Sequence, residues 1–171
     1  MKIVCKGFII RPPRKTDLES YHKYINDPLI GRNMSAINYP VSKSESKRFL
    51  NSYIKKSKSE KDTAGFIIDI DGECVGAISL GKIVKNHKAK IGYWLASKYR
   101  GRGIMTAATK KITEYGFKKY HLKRIYGNVA TFNKTSAHVL EKCGFKLEGI
   151  LKKDRLKNGK YYDNYIYSIT R

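Results

Sequence analysis

In the stretch YRGRGIMTAATKKI, residues 99–112, two arginines and two glycines stand directly before a run with helical apolar spacing. Holding an anion takes a close-approaching backbone and fixed positive charge. Glycine supplies the first, because it turns where other residues resist. The first N–H groups of a helix lack intrahelical acceptors, and the helix dipole there favours negative charge. Arg100, Gly101, Arg102 and Gly103, with the N–H groups of Ile104, Met105 and Thr106, therefore form a candidate phosphate cradle with charge-assisted donors. The pattern is neither a P-loop nor the six-residue dinucleotide fingerprint. An ordinary loop in a basic chain is the competing reading.

Other chemistry is sparse. His22, His87, His121 and His138 show no ligand spacing with one another or with Cys5, Cys74 and Cys143, so no metal centre is expected. Three scattered cysteines do not make a disulfide framework and suit a reducing compartment. No segment approaches the roughly 20 apolar residues of a membrane span, and the N-terminus is broken by Lys6, unlike a secretory leader. A cytoplasmic protein is expected. Its 36 Lys and Arg against 14 Asp and Glu give a net charge of +22. Such a field favours anionic partners: nucleic acid, a ribosome surface or a phosphorylated cofactor. Compositional drift explains the same excess, since lysine dominates and glutamine is absent.

The positioning elements can be read from spacing. Length bounds the chain to one domain, residues 1–171. Residues 3–10 read as a strand ended by Pro12 and Pro13. Thr16 or Asp17 can cap a short helix closed by Pro28, and residues 29–41 read as a loop. Ser42 and Glu45 form a capping box before a helix with Phe49, Leu50, Tyr53 and Ile54 on one face. Residues 55–62 read as a solvated connector. Strands at 64–70 and 73–84 flank the Asp71-Gly72 turn, and another spans 89–96. The helix after the quoted loop carries Ile104, Ala108, Ile112 and Tyr115 as a stripe. A strand at 123–130, a helix capped by Asn133 and stopped by Gly144, and a hairpin around Lys157-Asn158-Gly159 complete the chain.

Residues 91–108, IGYWLASKYRGRGIMTAA, resemble the acyl-CoA-binding motif of the GNAT superfamily of N-acetyltransferases, Arg/Gln-x-x-Gly-x-Gly/Ala. Further on, NKTSAHVLEKCGFKLEGILKKDRLKNGKYYDNYIY is similar to the closing part of one branch, which acetylates ribosomal-protein N-termini, spermidine and other small amines. The opening FIIRPPRKTDLESYHKYINDP resembles that branch as well, so the likeness spans nearly the whole chain. It implies an α/β GNAT fold with a mostly antiparallel sheet of about seven strands and about four helices. It also implies acetyl-CoA as co-substrate, with its pyrophosphate on residues 100–106 and its pantetheine arm along the backbone near Leu95. Met105 departs from the motif, which has Gly or Ala there; its side chain is expected to point along the helix, away from the phosphate.

By the same resemblance Ser136 is the donor to the leaving thiolate, and Asn133 contacts CoA. Local logic offers a plainer account, with Asn133 an N-cap and Ser136 stabilising the first turn. Many relatives carry a glutamate just before the I-G-Y-W-L run, where this chain has Ala89-Lys90. No base is assigned. Lys90 could act as one only if strongly desolvated and otherwise reads as an exposed charge. Glu148 and Asp163 match acidic positions of the closing motif but also read as supports of the terminal hairpin, and water-mediated deprotonation needs no dedicated base. The acceptor expected is an N-terminal amine, above all of a ribosomal protein, with ribosome or RNA contact through the net charge. Alternatives are a small-amine acetyltransferase acting on a polyamine, amino sugar or amino acid, and a non-catalytic RNA- or ribosome-binding module. Oligomeric state stays open, a homodimer included. The aromatic-basic KYHLKRIYG, residues 119–127, reads better as a helix end and strand than as a base-stacking platform.

Overall fold

A computed structural model describes residues 2–59 and 62–171. Eight strands form one sheet: β1 (Ile3–Cys5), β2 (Phe8–Arg11), β3 (Thr63–Ile70), β4 (Glu73–Val84), β5 (Lys88–Leu95), β6 (Arg124–Ala130), β7 (Lys146–Lys157) and β8 (Lys160–Thr170). Their order is β1-β2-β3-β4-β5-β6-β8-β7. Every pairing is antiparallel except β5 with β6. Five α-helices cover the sheet: α1 (Leu18–Ile25), α2 (Pro28–Asn33), α3 (Lys43–Ser59), α4 (Ile104–Tyr120) and α5 (Lys134–Lys142). Alternation along the strands sorts the faces. Trp94 of β5 meets Tyr21 of α1 edge-on, and Tyr53 of α3 donates to the Ile78 carbonyl at 2.9 Å. On the other face a Cβ at Gly116 of α4 would lie 2.6 Å from Leu80, and one at Gly127 of β6 3.4 Å from Leu140 of α5.

Local chemistry accounts for most boundaries. Asp71 and Gly72, at φ of 52° and 83°, make the β3–β4 turn, and Asn158 and Gly159, at 50° and 73°, make the β7–β8 turn. The Ser42–Glu45 box is formed: Glu45 accepts from the Ser42 amide at 3.0 Å, and Ser42 Oγ accepts from the Glu45 amide at 3.2 Å.

Several expectations are corrected. The opening strand is a tight hairpin, β1 and β2, turning near Gly7, which gives eight strands rather than seven. Pro28 begins a helix instead of closing one, because Asp27 accepts from the amides of Leu29 (2.8 Å) and Ile30 (3.4 Å), and proline suits a first helical position. That adds α2 inside the expected loop, for five helices rather than four. α3 runs on to Ser59 through residues read as connector; Glu60 and Lys61 of that connector lie outside the described residues. Asp17 gives no side-chain cap to α1; its carboxylate instead pairs with Arg11 and accepts from the Arg14 amide at 2.7 Å.

Glu148 and Asp163 support the terminal hairpin. Asp163 takes the Lys153 amide and the Lys152 ammonium, both at 2.9 Å, where β7 bulges. Glu148 grips Arg124 with both oxygens and accepts from Ser168 at 2.5 Å. The Arg124 guanidinium, aided by Ser168, holds the Glu148 carboxyl at about 2, below its ordinary 4.5. A depressed carboxyl contributes stability above the unfolded value and loses it as pH falls from about 4.5 to about 2. Solvent screens the pair, since the Glu148 side chain is 38% exposed. Glu148→Gln is therefore expected to lower the urea midpoint modestly at pH 7 and to match the native protein at pH near 2. A constant gap across both pH values would refute the link.

Candidate active site

The parallel pairing of β5 with β6 covers Lys88–Lys90 against Arg124–Tyr126 and then stops. Ile91 and Gly127 are still close, but no pairing joins the strands past them, and a cleft opens between Tyr93–Leu95 and Asn128–Ala130. Backbone parity shows what lines it. Ala96 donates to Val75 at 2.9 Å and Leu95 pairs in register with Gly76, so the even residues of β5 hydrogen-bond β4. The amide and carbonyl of Tyr93 and the amide of Leu95 consequently face the opening, an edge for an added strand, while the Leu95 carbonyl accepts from Arg100.

The quoted loop lies at the mouth of this cleft. Tyr99, 7% exposed, packs edge-on against Tyr24, and their hydroxyls lie 3.3 Å apart. Asp27 ties the preceding turn to α2 by accepting from Ser97 N at 3.3 Å and Ser97 Oγ at 2.5 Å. Burial works against the Asp27 charge, but those bonds and the Leu29 amide hold its carboxyl below the usual value. Gly101 and Gly103 take φ of 78° and 73°, the left-handed region costly for other residues, and a Cβ at either would meet nothing within 4 Å. The first helical bond of α4 runs from Ala107 to Gly103 at 3.0 Å. The amides of Ile104, Met105 and Thr106 thus find no acceptor among the described residues, and no side chain caps the helix.

Arg100 donates from Nε to the Leu95 carbonyl at 3.0 Å, which holds its guanidinium beside the cleft with both terminal nitrogens uncommitted among the described residues. Arg102 is exposed, poised over the Tyr99 ring at 5.6 Å. No acidic residue stands in the first turn of α4. Glycines that need no side-chain room, three open amides and two arginines fit a diphosphate. Met105 is 7% exposed and packs into the core.

Across the cleft, Asn133 caps α5 by accepting from the Ser136 amide at 3.2 Å. The Ser136 hydroxyl meets the Tyr93 hydroxyl at 3.0 Å, and Tyr93 also reaches the Ser136 carbonyl at 3.2 Å. Burial pushes the Tyr93 phenol upward, so it keeps its proton and can donate. Leu95, the loop, Asn133 and Ser136 therefore gather around one opening. Sequence reasoning missed Tyr93, whose signal was its strand position facing the helix that carries Ser136. Cys143 lies against the Thr106 carbonyl at 3.4 Å, and burial raises its thiol pKa, which makes it a packing residue. Lys90 is half-buried rather than exposed; desolvation, then Lys82, lowers its pKa, and Asp154 opposes them.

A model of the acetyltransferase (GNAT) domain matches residues 8–146. The chain belongs to the GNAT family. It is 38% identical over 102 residues to a putative ribosomal N-acetyltransferase, YdaF, of Bacillus subtilis; the match covers 59% of this chain and 56% of that relative. It is 28% identical over 153 residues to the spermidine N(1)-acetyltransferase of Escherichia coli K12, covering 89% and 80%. Its fold superposes on the microcin C7 self-immunity acetyltransferase MccE, solved with acetyl-CoA and AMP, at a TM-score of 0.88 and 28% identity over 98% and 94% of the chains. The chain is a GNAT N-acetyltransferase with acetyl-CoA as co-substrate. No helix among the described residues is long and apolar enough to cross a membrane.

Proposed function

We propose that this GNAT enzyme, acting as one cytoplasmic domain, acetylates the N-terminal amine of a protein, with a ribosomal protein as the best-fitting acceptor. The observation that carries the site is the glycine-arginine cradle at the mouth of the β5–β6 cleft, with Ser136 opposite. Acetyl-CoA supplies the acetyl group as a thioester. Arg100, Arg102 and the amides of Ile104, Met105 and Thr106 hold its diphosphate. The backbone of Tyr93 and Leu95 takes the pantetheine arm as an added strand, and Asn133 fixes the start of α5 beside it. Ser136 donates a hydrogen bond to the departing sulfur while the Tyr93 hydroxyl, 3.0 Å from Ser136 Oγ, holds it in place, so charge on the thiolate meets a preset donor.

The acceptor reading rests on three features. The similar YdaF is named for ribosomes, and a +22 field suits encounter with an acidic particle. The third is a cleft of about 480 Å³ beside α2, lined by Arg32, Tyr39, Phe132, Lys157 and Tyr162 among others. Its walls are pinned: Arg155 donates to the carbonyls of Asn33 and Arg32, both at 2.8 Å, and Lys157 to those of Gly31, Met34 and Ile37. A preset cleft of this size suits a peptide end. The likeness to the spermidine enzyme favours a second reading, a small polyamine acceptor. Mass spectrometry of reactions with acetyl-CoA separates the two. Acetylation of ribosomal-protein N-terminal peptides in preference to spermidine is expected, and the reverse preference would overturn the acceptor assignment.

A further inference from the structure

On the sheet face carrying α1 and α3, the splayed lip of β6 holds a cluster with an odd hydrogen-bond balance. Asn128 lies two residues past the last β5–β6 pair, on the same face as Lys90 and Tyr126. Register with β8 sets Asn128 opposite Ile166 and Ala130 opposite Asn164, so Asn164 shares that face. Between the pairs Leu151–Asn164 and Arg155–Tyr162, β7 bulges, with Lys153 at φ 52°. The bulge sets Asp154 against both asparagines. Asp154 Oδ2 accepts from Asn164 Nδ2 at 2.7 Å and from Asn128 Nδ2 at 3.2 Å.

Each amide gives one N–H to Asp154, and the acceptors opposite those donors stay unfilled. Asn128 Oδ1 and Asn164 Oδ1 are buried without a partner, and Asn164 is only 7% exposed. Asp154 is exposed, and its Oδ1 takes no hydrogen bond from the described residues. No ion pair joins Lys90 or Lys82 to Asp154 among the described residues. Buried carbonyl oxygens are costly to leave empty, and such exceptions call for a ligand or water. An ammonium group has three N–H donors and no acceptor, the complement of this array.

We propose that Asn128, Asp154 and Asn164 form the ammonium subsite that receives the acceptor amine. This deepens the acetyltransferase reading and rests on it for its place in the reaction, but not for binding. In a chain of +22 Asp154 supplies the cluster with a carboxylate for a cationic end-group, which it shares electrostatically with Lys90 on the same face. The cluster also sets the nitrogen on the sheet face opposite Ser136. The ammonium first gives a proton to water, and the neutral amine then attacks the thioester carbon as the C–S bond breaks and the thiolate leaves on the Ser136 side. A water that merely fixes the bulge is the competing occupant.

Side-chain amide NMR on the full-length protein decides between them without turnover. Methylammonium chloride is expected to shift the Nδ2 resonances of Asn128 and Asn164 saturably. Tetramethylammonium, which has no N–H, is expected to leave them in place, and Asp154→Asn is expected to abolish the response. No shift, or equal shifts with both cations, would overturn the subsite and leave the water. With whichever amine the native enzyme turns over, Asp154→Asn should raise the acceptor KM about tenfold or more, with the acetyl-CoA thermal shift unchanged. An unchanged KM would also overturn it. Failure of every peptide as acceptor would remove the N-terminal assignment alone, because methylammonium binding is read separately.

Discussion

Arg11→Ala is expected to cost about 3–5 kcal/mol of stability, because it strands two buried carboxylates. The Arg11 side chain is 6% exposed and joins Asp17 at 2.6 Å and Asp69 at 2.6 Å, themselves 3% and 10% exposed. Its second terminal nitrogen reaches Asp17 at 3.0 Å. The hydrogen bonds that Arg11 donates to Asp17 raise the arginine pKa against the pull of burial, so the charge is fixed at every accessible pH. For a chain of this size the melting temperature should fall by about 6–20 °C. Arg11→Lys should recover little, since one ammonium cannot supply the fork that reaches both carboxylates. A drop below about 2 °C in a thermal melt would mean that the triad contributes little.

Ser136→Ala is expected to lower kcat about 100-fold while leaving the KM for acetyl-CoA nearly unchanged, as for loss of a single transition-state donor. The expectation separates chemistry from folding. Asn133, not Ser136 Oγ, caps α5, and alanine is a good helix former, so the variant should melt close to the native temperature. Tyr93→Phe should lower kcat less, since it removes the support for Ser136 and spares the donor itself. Steady-state kinetics on the two variants check both points. A kcat within twofold of native for Ser136→Ala would return Ser136 to an ordinary first-turn serine.

Local chemistry was legible where neighbours in sequence decide it. The cradle at residues 100–103, the Asn133 cap, the Ser42–Glu45 box and both hairpin turns depend on residues a few positions apart. α2 was hidden because Pro28 both stops and starts helices, and only the Asp27 cap shows which it does here. The hairpin at Gly7 was hidden because the apolar-rich residues 3–10 read as one strand. Partnerships across the fold carried no local signal. Tyr93 and Ser136 are 43 positions apart, and Asp154 meets Asn128 only because β7 bulges. The half-buried state of Lys90 likewise depends on neighbours from other strands.

The central claim is that the α4 N-terminus holds acetyl-CoA, and a thermal-shift titration tests it most directly. Native protein should be compared with Arg102→Ala and with Arg100→Ala/Arg102→Ala. Acetyl-CoA at about a hundred times its dissociation constant should stabilise the native protein by about 2.7 kcal/mol, a rise of roughly 5–10 °C. The single variant should show a smaller rise at the same concentration, and the double variant the smallest. A native protein that does not shift, or a double variant that shifts as far as the native protein, would contradict the account.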